Sequence, residues 1–250
     1  MTGTQPTGEP IRLPVGSRGR RPFVLINMAM TADGKIATAN RALSRFGTRQ
    51  DEANLYALRA SVDAVMSGAT TLMAEGATLG PGPQRFRQQR RLAGRPEWPL
   101  RIAVSGSCSL SPDAAVFQHG TSPVIVLTSE RAPRRALHRL SRVATQVGVC
   151  GEQEVDFTRA LRWLAESWQV DRLLCEGGGE LNDALFRADL VDELHLTLCP
   201  WIAGGRTAPT LADGVGVSAL AEARRFRLKA RKRVGNELYL IYHRATSPAP

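Results

Sequence analysis

Residues 171–188 read DRLLCEGGGELNDALFRA. A short apolar run at 171–175 enters Glu176-Gly177-Gly178-Gly179, and Leu181, Leu185 and Ala188 then continue as a helix. Strand, glycine turn and helix in that order form part of the crossover unit of a parallel sheet. Three glycines remove every side chain at the carboxyl end of the strand. Main-chain N–H groups and the positive end of the helix can then approach an anion closely, and a phosphate or pyrophosphate is the natural ligand. Glu176 is no phosphate ligand, because like charges repel; it reads as an acceptor for hydroxyl or amino hydrogens of a polar substrate. The plainer alternative is that the glycines only permit tight strand-to-helix packing.

The same alternation extends outward. On the N-terminal side, FVLINMAM at 23–30 is a nearly continuous apolar run, as expected of a strand covered on both faces. RQDEANLYALRA at 49–60 has good helix formers with acids near its start, and a short apolar run follows at 62–66. Residues 101–104 and 124–128 are further strand candidates, and 134–140 is expected to be helical. Phe157, Leu161, Leu164 and Trp168 form an amphipathic stripe whose aromatics belong to the core. On the C-terminal side, 193–199 alternates up to Pro200, and 225–234 with 237–243 flank Gly235-Asn236 as an antiparallel hairpin. The stretch 76–99, rich in Gly, Pro and Arg, reads as an active-site loop more than an element. The expected fold is α/β: a mixed, mostly parallel sheet flanked by helices, with a C-terminal antiparallel hairpin. It is expected as a single domain over 22–250 behind a flexible leader at 1–21.

Composition narrows the function classes. No run approaches the 18 to 20 uninterrupted apolar residues of a membrane span, and the N-terminus lacks the pattern of a secretory signal. Four dispersed cysteines, without a CxxC pair, point to a reducing compartment, the cytoplasm. The four histidines are equally dispersed, so no metal site is expected. The net charge of +10 rests on 33 basic residues, 30 of them arginine, clustered at 85–101, 131–142 and 224–233. No helix-turn-helix, zinc finger or RNP pattern accompanies these clusters. A basic surface that attracts phosphorylated small molecules explains the charge as well as nucleic acid does, and a nucleic-acid-binding protein is the alternative from another class.

Three more turns follow strands. Asp33 and Lys35 lie just past the first strand, where open sheets place functional residues. Lys35 is the sole lysine outside the 224–233 cluster, a compact charge suited to a sugar hydroxyl or a developing charge. Ser67-Gly68-Ala69-Thr70-Thr71 is a loop-to-helix entry with hydroxyls, and Gly204 to Thr207 is a fourth such loop. Together they suggest a long anionic ligand across the strand ends. His195, inside an alternating strand, reads as a satisfied structural histidine. The GxGxxG and GxxxxGK[ST] sequences are absent, which excludes the commonest nucleotide folds and not the ligands.

Four ordered motifs combine: NMAMTADGKIA at 27–37, LRASVDAVMSGATTL at 58–72, LLCEGGGELNDALF at 173–186 and LVDELHLTLCPWIAGG at 190–205. Over about 22–243 the chain resembles the reductase of riboflavin biosynthesis, which also occurs as the C-terminal domain of a bifunctional deaminase-reductase. The resemblance implies a dihydrofolate-reductase-like fold, a homodimer, and NADPH as cofactor. It implies reduction of the ribosyl side chain of a pyrimidine ribosylamine 5′-phosphate to the ribityl form. It places Asp33, Lys35 and Glu176 at the substrate, and Gly68, Thr71, Gly177, Gly178 and Gly179 at the cofactor. The zinc signature of the deaminase half is absent, so deamination is not expected. One departure stands out: where the family reads DDPxLT, this chain reads Glu75-Gly-Ala-Thr-Leu-Gly80. Either Glu75 takes the acidic role, making Lys35, Glu75 and Glu176 the catalytic set, or the substrate has drifted toward the folates and other pterins reduced elsewhere in the superfamily.

Overall fold

The structure, a computed structural model, describes residues 9–14, 19–41 and 47–245. In chain order its elements begin with β1 (Ile11–Arg12), β2 (Phe23–Thr31), α1 (Arg49–Ser61), β3 (Ala64–Gly68), α2 (Ala69–Glu75) and α3 (Gln84–Leu92). Next come β4 (Leu100–Val104), α4 (Ala115–Gln118), β5 (Val124–Thr128), α5 (Arg134–Ser141), β6 (Gln146–Val149) and α6 (Phe157–Ser167). The chain continues with β7 (Arg172–Cys175), α7 (Gly179–Arg187), β8 (Glu193–Cys199), β9 (Phe226–Val234) and β10 (Glu237–Arg244). The described residues divide into two compact units, one of residues up to 22 with 56–174, the other of 23–55 with 175–245.

The first unit holds strands in the order β1-β6-β5-β4-β3-β7. Pairing is parallel from β1 through β3. The strands between helices are covered on both faces, as parallel strands must be: every residue of β5 is buried, and Val65, Met66, Ile102 and Ile125 have no exposure. Asp156 caps α6 by accepting from Arg159 N at 3.1 Å, and Phe157, Leu161 and Leu164 turn inward as the stripe predicts. The strand expected at 62–66 begins two residues later. Asp63 stays outside it because its Oδ2 accepts the Asp171 and Arg172 N–H groups at 3.0 and 2.9 Å.

Two expectations are corrected here. The stretch 76–99 is not all loop, since α3 occupies its middle. Its QRFRQQRRL sequence contains neither Gly nor Pro, and it was obscured by the Gly- and Pro-rich flanks. Arg90 lies on its inner face with no exposure, donating to the carbonyls of Pro96, Arg59 and Val62 at 2.8, 2.7 and 2.6 Å. Arg101 is likewise buried, donating to Val116 and Ser122 carbonyls at 2.7 and 2.5 Å and lying 5.4 Å from the Trp98 ring centroid. Burial lowers both to about 10, so both stay charged at neutral pH and tie loops together instead of meeting a polyanion. The second correction is in the stretch expected to be a flexible leader. Ile11 and Arg12 pair with Gly148 and Val149, and Leu13 is buried against Gly148, where a Cβ would come 3.3 Å from Leu13. Residues 1–8 and 15–18 of that stretch lie outside the described residues.

The second unit has the strand order β2-β8-β10-β9. β2 and β8 run parallel, Leu25 opposite Glu193 through Thr31 opposite Cys199. β10 is antiparallel to both β8 and β9, with an irregularity in its β9 pairing between Ile241 and Tyr242. The hairpin therefore forms where the Gly235-Asn236 turn places it, and Gly235 takes the left-handed φ of 59° that the turn requires. Phe186 of α7 meets Phe226 of β9 edge-on, ring centroids 5.8 Å apart.

Candidate active site

In the second unit the chain leaves β2 through a tight turn. Thr31 N donates to Lys35 O and Gly34 N to Thr31 O, each at 2.9 Å, and Gly34 has the positive φ of 81° that closes it. Asp33 faces its own main chain and its neighbours. Its Oδ1 accepts from Thr31 Oγ1 at 2.6 Å and Ala203 N at 3.1 Å, and its Oδ2 from Gly204 N at 2.7 Å. Its carboxylate thus pins the turn to the glycine loop after β8. Those bonds, the Thr31 hydroxyl first and then the Gly204 and Ala203 amides, hold the exposed carboxyl down at about 2. A pKa depressed from 3.8 means the anchoring is complete above the unfolded value and is lost as pH falls through about 2. Amide NMR of Ala203 and Gly204 is expected to show a midpoint near 2 that Asp33→Asn abolishes. A midpoint near 3.8 would mean the amides do not hold the carboxylate.

Lys35 is half-buried beside a second stretch, 208–213. Its backbone bridges Thr210, Ile36 N donates to Pro209 O at 2.9 Å, and its ammonium donates to Ala208 O at 3.2 Å. That stretch continues to the start of α7. Asp213 accepts from Thr210 N at 3.1 Å and Thr210 Oγ1 at 2.6 Å, and its own N donates to Gly179 O at 3.0 Å. Lys35 and Gly179, 144 residues apart in sequence, are thus joined through one short segment. Sequence reading passed over Thr210 and Asp213; the available signal was the Asp213-Gly214 pair, a turn signature in a stretch without other motif. Glu176 follows β7, half-buried, between fully buried Cys175 and Gly177, whose φ is 77°. Gly178 is the N-cap residue of α7. At Gly179 a side chain is excluded, because a Cβ would lie 2.7 Å from Thr210 O and closer still to the Asp213 carboxylate.

Gly68, Thr71 and Glu75 lie in the first unit. Gly68 is the N-cap residue of α2 and supplies no side-chain cap, so the leading N–H groups of that helix have no partner from it. Thr71 is in the first turn, and Glu75 is the last residue of α2, closed by Gly76 in the left-handed conformation. The Glu75 side chain lies outside the described residues. The carboxyl ends of β3, β4, β5 and β6 continue into Gly68, Ser105-Gly106, Ser129 and Cys150-Gly151, a row of small residues along one edge. A Cβ on Gly106 would meet nothing nearer than Ser129 Oγ at 4.0 Å, so this edge leaves room for a flat or phosphorylated ligand.

Other reactive groups are quiet. Burial pushes Cys150, Cys175 and Cys199 up to about 12, so these thiols are not nucleophiles at neutral pH. His195 contacts Glu193 at 2.5 Å, whose other oxygen meets His243 at 2.7 Å.

The RibD C-terminal domain family matches residues 22–240. The chain belongs to that family. It is 34% identical over 222 residues to the 2,5-diamino-6-ribosylamino-4(3H)-pyrimidinone 5′-phosphate reductase of Methanothermobacter thermautotrophicus, covering 89% of this chain and 98% of the relative. The protein of the same name from Archaeoglobus fulgidus is 34% identical over 194 residues, 78% of this chain and 87% of that one. A pyrimidine reductase-like protein from Corynebacterium diphtheriae shares the fold, with a TM-score of 0.76 at 21% identity over 90% of this chain and 93% of its own. The mixed, mostly parallel α/β architecture with its C-terminal hairpin is thus the one this family carries, of the dihydrofolate-reductase-like class.

Proposed function

We propose that this RibD-family chain reduces the ribosyl side chain of a pyrimidine ribosylamine 5′-phosphate to the ribityl chain in riboflavin biosynthesis, with NADPH as reductant. The observation that carries this reading is 34% identity across 89% of the chain to a reductase named for a ribosylamino-pyrimidinone phosphate. The relatives reported above favour neither a folate or pterin reductase nor a nucleic-acid-binding protein. Homodimers in the cytoplasm are part of the proposal; among the described residues no helix is long and apolar enough to cross a membrane.

The open-chain imine of the ribosylamine accepts a hydride at C1′ and a proton at nitrogen, which balances the reduction. The nicotinamide, when bound, supplies that hydride. Gly68, Thr71 and the small residues at Ser105-Gly106 and Ser129 fit its phosphates and riboses, since main-chain N–H groups and hydroxyls lie at parallel strand ends. The arginine-rich surface favours the 2′-phosphorylated cofactor. Gly177 and Gly178 leave backbone open before α7. Lys35 and Glu176 orient the sugar and move the proton, with Lys35 held by Ala208 and its turn fixed by Asp33.

NADPH oxidation with 2,5-diamino-6-ribosylamino-4(3H)-pyrimidinone 5′-phosphate tests the reading, and saturable turnover faster with NADPH than NADH is expected. Turnover with folates or pterins alone would overturn it. In the same assay Glu75→Gln is expected to lower turnover roughly 10- to 1000-fold without weakening NADPH binding, as loss of an acidic group at the reacting centre should. A fully active variant would remove Glu75 from the catalytic set.

A further inference from the structure

Two buried oxygens on one face of the second unit have no hydrogen-bond partner among the described residues: Asn27 Oδ1 and Asp51 Oδ1. Asn27 is only 9% exposed, in the middle of β2. An amide oxygen left unbonded at that depth costs about 1–3 kcal/mol, so it calls for a donor. Asp51 is in the first turn of α1. The Thr197 hydroxyl donates to its carboxyl, while burial and the nearby Glu237 carboxylate disfavour its charge and raise its pKa. Register places the two oxygens over the same strand face. Asn27 is opposite His195, and Thr197 is two residues further along β8 with its side chain on the same side. Asp51, bonded to Thr197, therefore stands one strand step from Asn27.

Glu237, the other carboxylate of this cluster, is satisfied and differs from Asp51 in this respect. It accepts from Thr48 N at 2.8 Å, Thr48 Oγ1 at 2.7 Å and Tyr239 Oη at 2.7 Å. Glycine at 47 leaves room for Asp51, since a Cβ there would come 2.5 Å from Asp51 Oδ2. The pair of vacant acceptors is thus a local property of Asn27 and Asp51, in a cluster whose other polar groups are bonded.

We propose that Asp51 and Asn27 form the subsite that reads the amino edge of the pyrimidine, making Asp51 a specificity-determining residue of the reductase. The assignment rests on the reading under Proposed function. A 2-amino-4(3H)-pyrimidinone presents the exocyclic amino hydrogens next to the N3–H, adjacent donors for adjacent acceptors. The deaminated, 2-oxo ring presents a carbonyl in place of the amino group, and acceptor would face acceptor. A carboxylate that gains N–H donors is also restored toward its charged form, which strengthens the contact.

The test measures kcat/KM with NADPH for the 2-amino ribosylaminopyrimidine phosphate and its 2-oxo counterpart. Wild-type protein is expected to favour the 2-amino ring roughly 10- to 100-fold, the discrimination typical of a well-made polar pair. Asp51→Asn, nearly the same shape but able to donate, is expected to erase or invert that preference. Thr197→Val, which leaves the carboxylate in place without its hydroxyl anchor, should reduce it. Wild type without preference, or preferring the 2-oxo ring, would overturn the assignment even if neither variant folds. So would Asp51→Asn losing activity equally on both rings, the signature of a structural role. Wild type inactive on both rings would remove the underlying reductase reading and this subsite with it. Activity on both with an unchanged ratio in the Asn variant removes the subsite alone.

Discussion

Replacing Glu176 by glutamine is expected to lower kcat/KM roughly 100- to 10,000-fold, the range lost with a group that handles a proton in the transition state. The backbone at this position is set independently of its side chain. Cys175 before it is fully buried and Gly177 after it takes a left-handed φ of 77°. The amide keeps the size and one acceptor oxygen of the carboxylate, so β7 and the start of α7 are expected to form as before. What the amide lacks is the negative charge and the capacity to exchange a proton at neutral pH. Steady-state kinetics on the ribosylamino-pyrimidine phosphate, with cofactor affinity followed by tryptophan quenching, separate the two effects. Lost turnover with unchanged NADPH affinity places Glu176 at the reacting centre. Unchanged kcat/KM would make the glutamate a structural residue of the turn.

The sequence made the buried strands most legible, because a strand covered on both faces writes itself as a continuous apolar run. β2 and β5 are cases of this, and the hairpin was readable for a different reason, since Gly235-Asn236 has few uses other than a turn. α3 was not legible, because its buried face is made by Phe86 and an arginine, Arg90, satisfied by three carbonyls. Hydrophobic periodicity cannot register a guanidinium serving as core. β1 was missed because two residues carry no period, and the signal of its docking was Leu13 opposite a glycine on β6. At the site, the special character of the turn at 31–35 was visible from its place after β2, and the direction of Asp33 was not. Its partners Ala203 and Gly204 are 170 residues away, and the bonds come from their main-chain amides, which no residue type announces. The link through Thr210 and Asp213 was hidden for the same reason. Asn27 read as one more residue in an apolar run, and only its unpaired oxygen distinguishes it.

That hidden link carries the second large effect, expected for Gly179→Ala. Helix propensity alone predicts a gain, since glycine in a helix is about 0.5–1 kcal/mol worse than alanine. Packing predicts the opposite. A Cβ at 179 would stand 2.7 Å from Thr210 O, a backbone atom that cannot swing aside, as well as against the Asp213 carboxylate. Overpacking of this kind costs about 1–3 kcal/mol, so the balance favours destabilisation by about 1–2 kcal/mol, or roughly 2–6 °C in Tm for a chain of this size. The activity loss should exceed the stability loss. Thr210 pairs with Lys35 and its amide and hydroxyl both donate to Asp213, so a shift at 210 moves the lysine's backbone. A displacement near 1 Å at a positioning group is enough to lower turnover about 100-fold. Thermal unfolding and kinetics on one preparation check both halves. A more stable Gly179→Ala with full activity would show that the helix start yields easily and that the 208–213 segment does not hold Lys35 in place. A lower Tm together with a kcat drop much larger than the fraction unfolded would confirm that the glycine is there to let that segment approach.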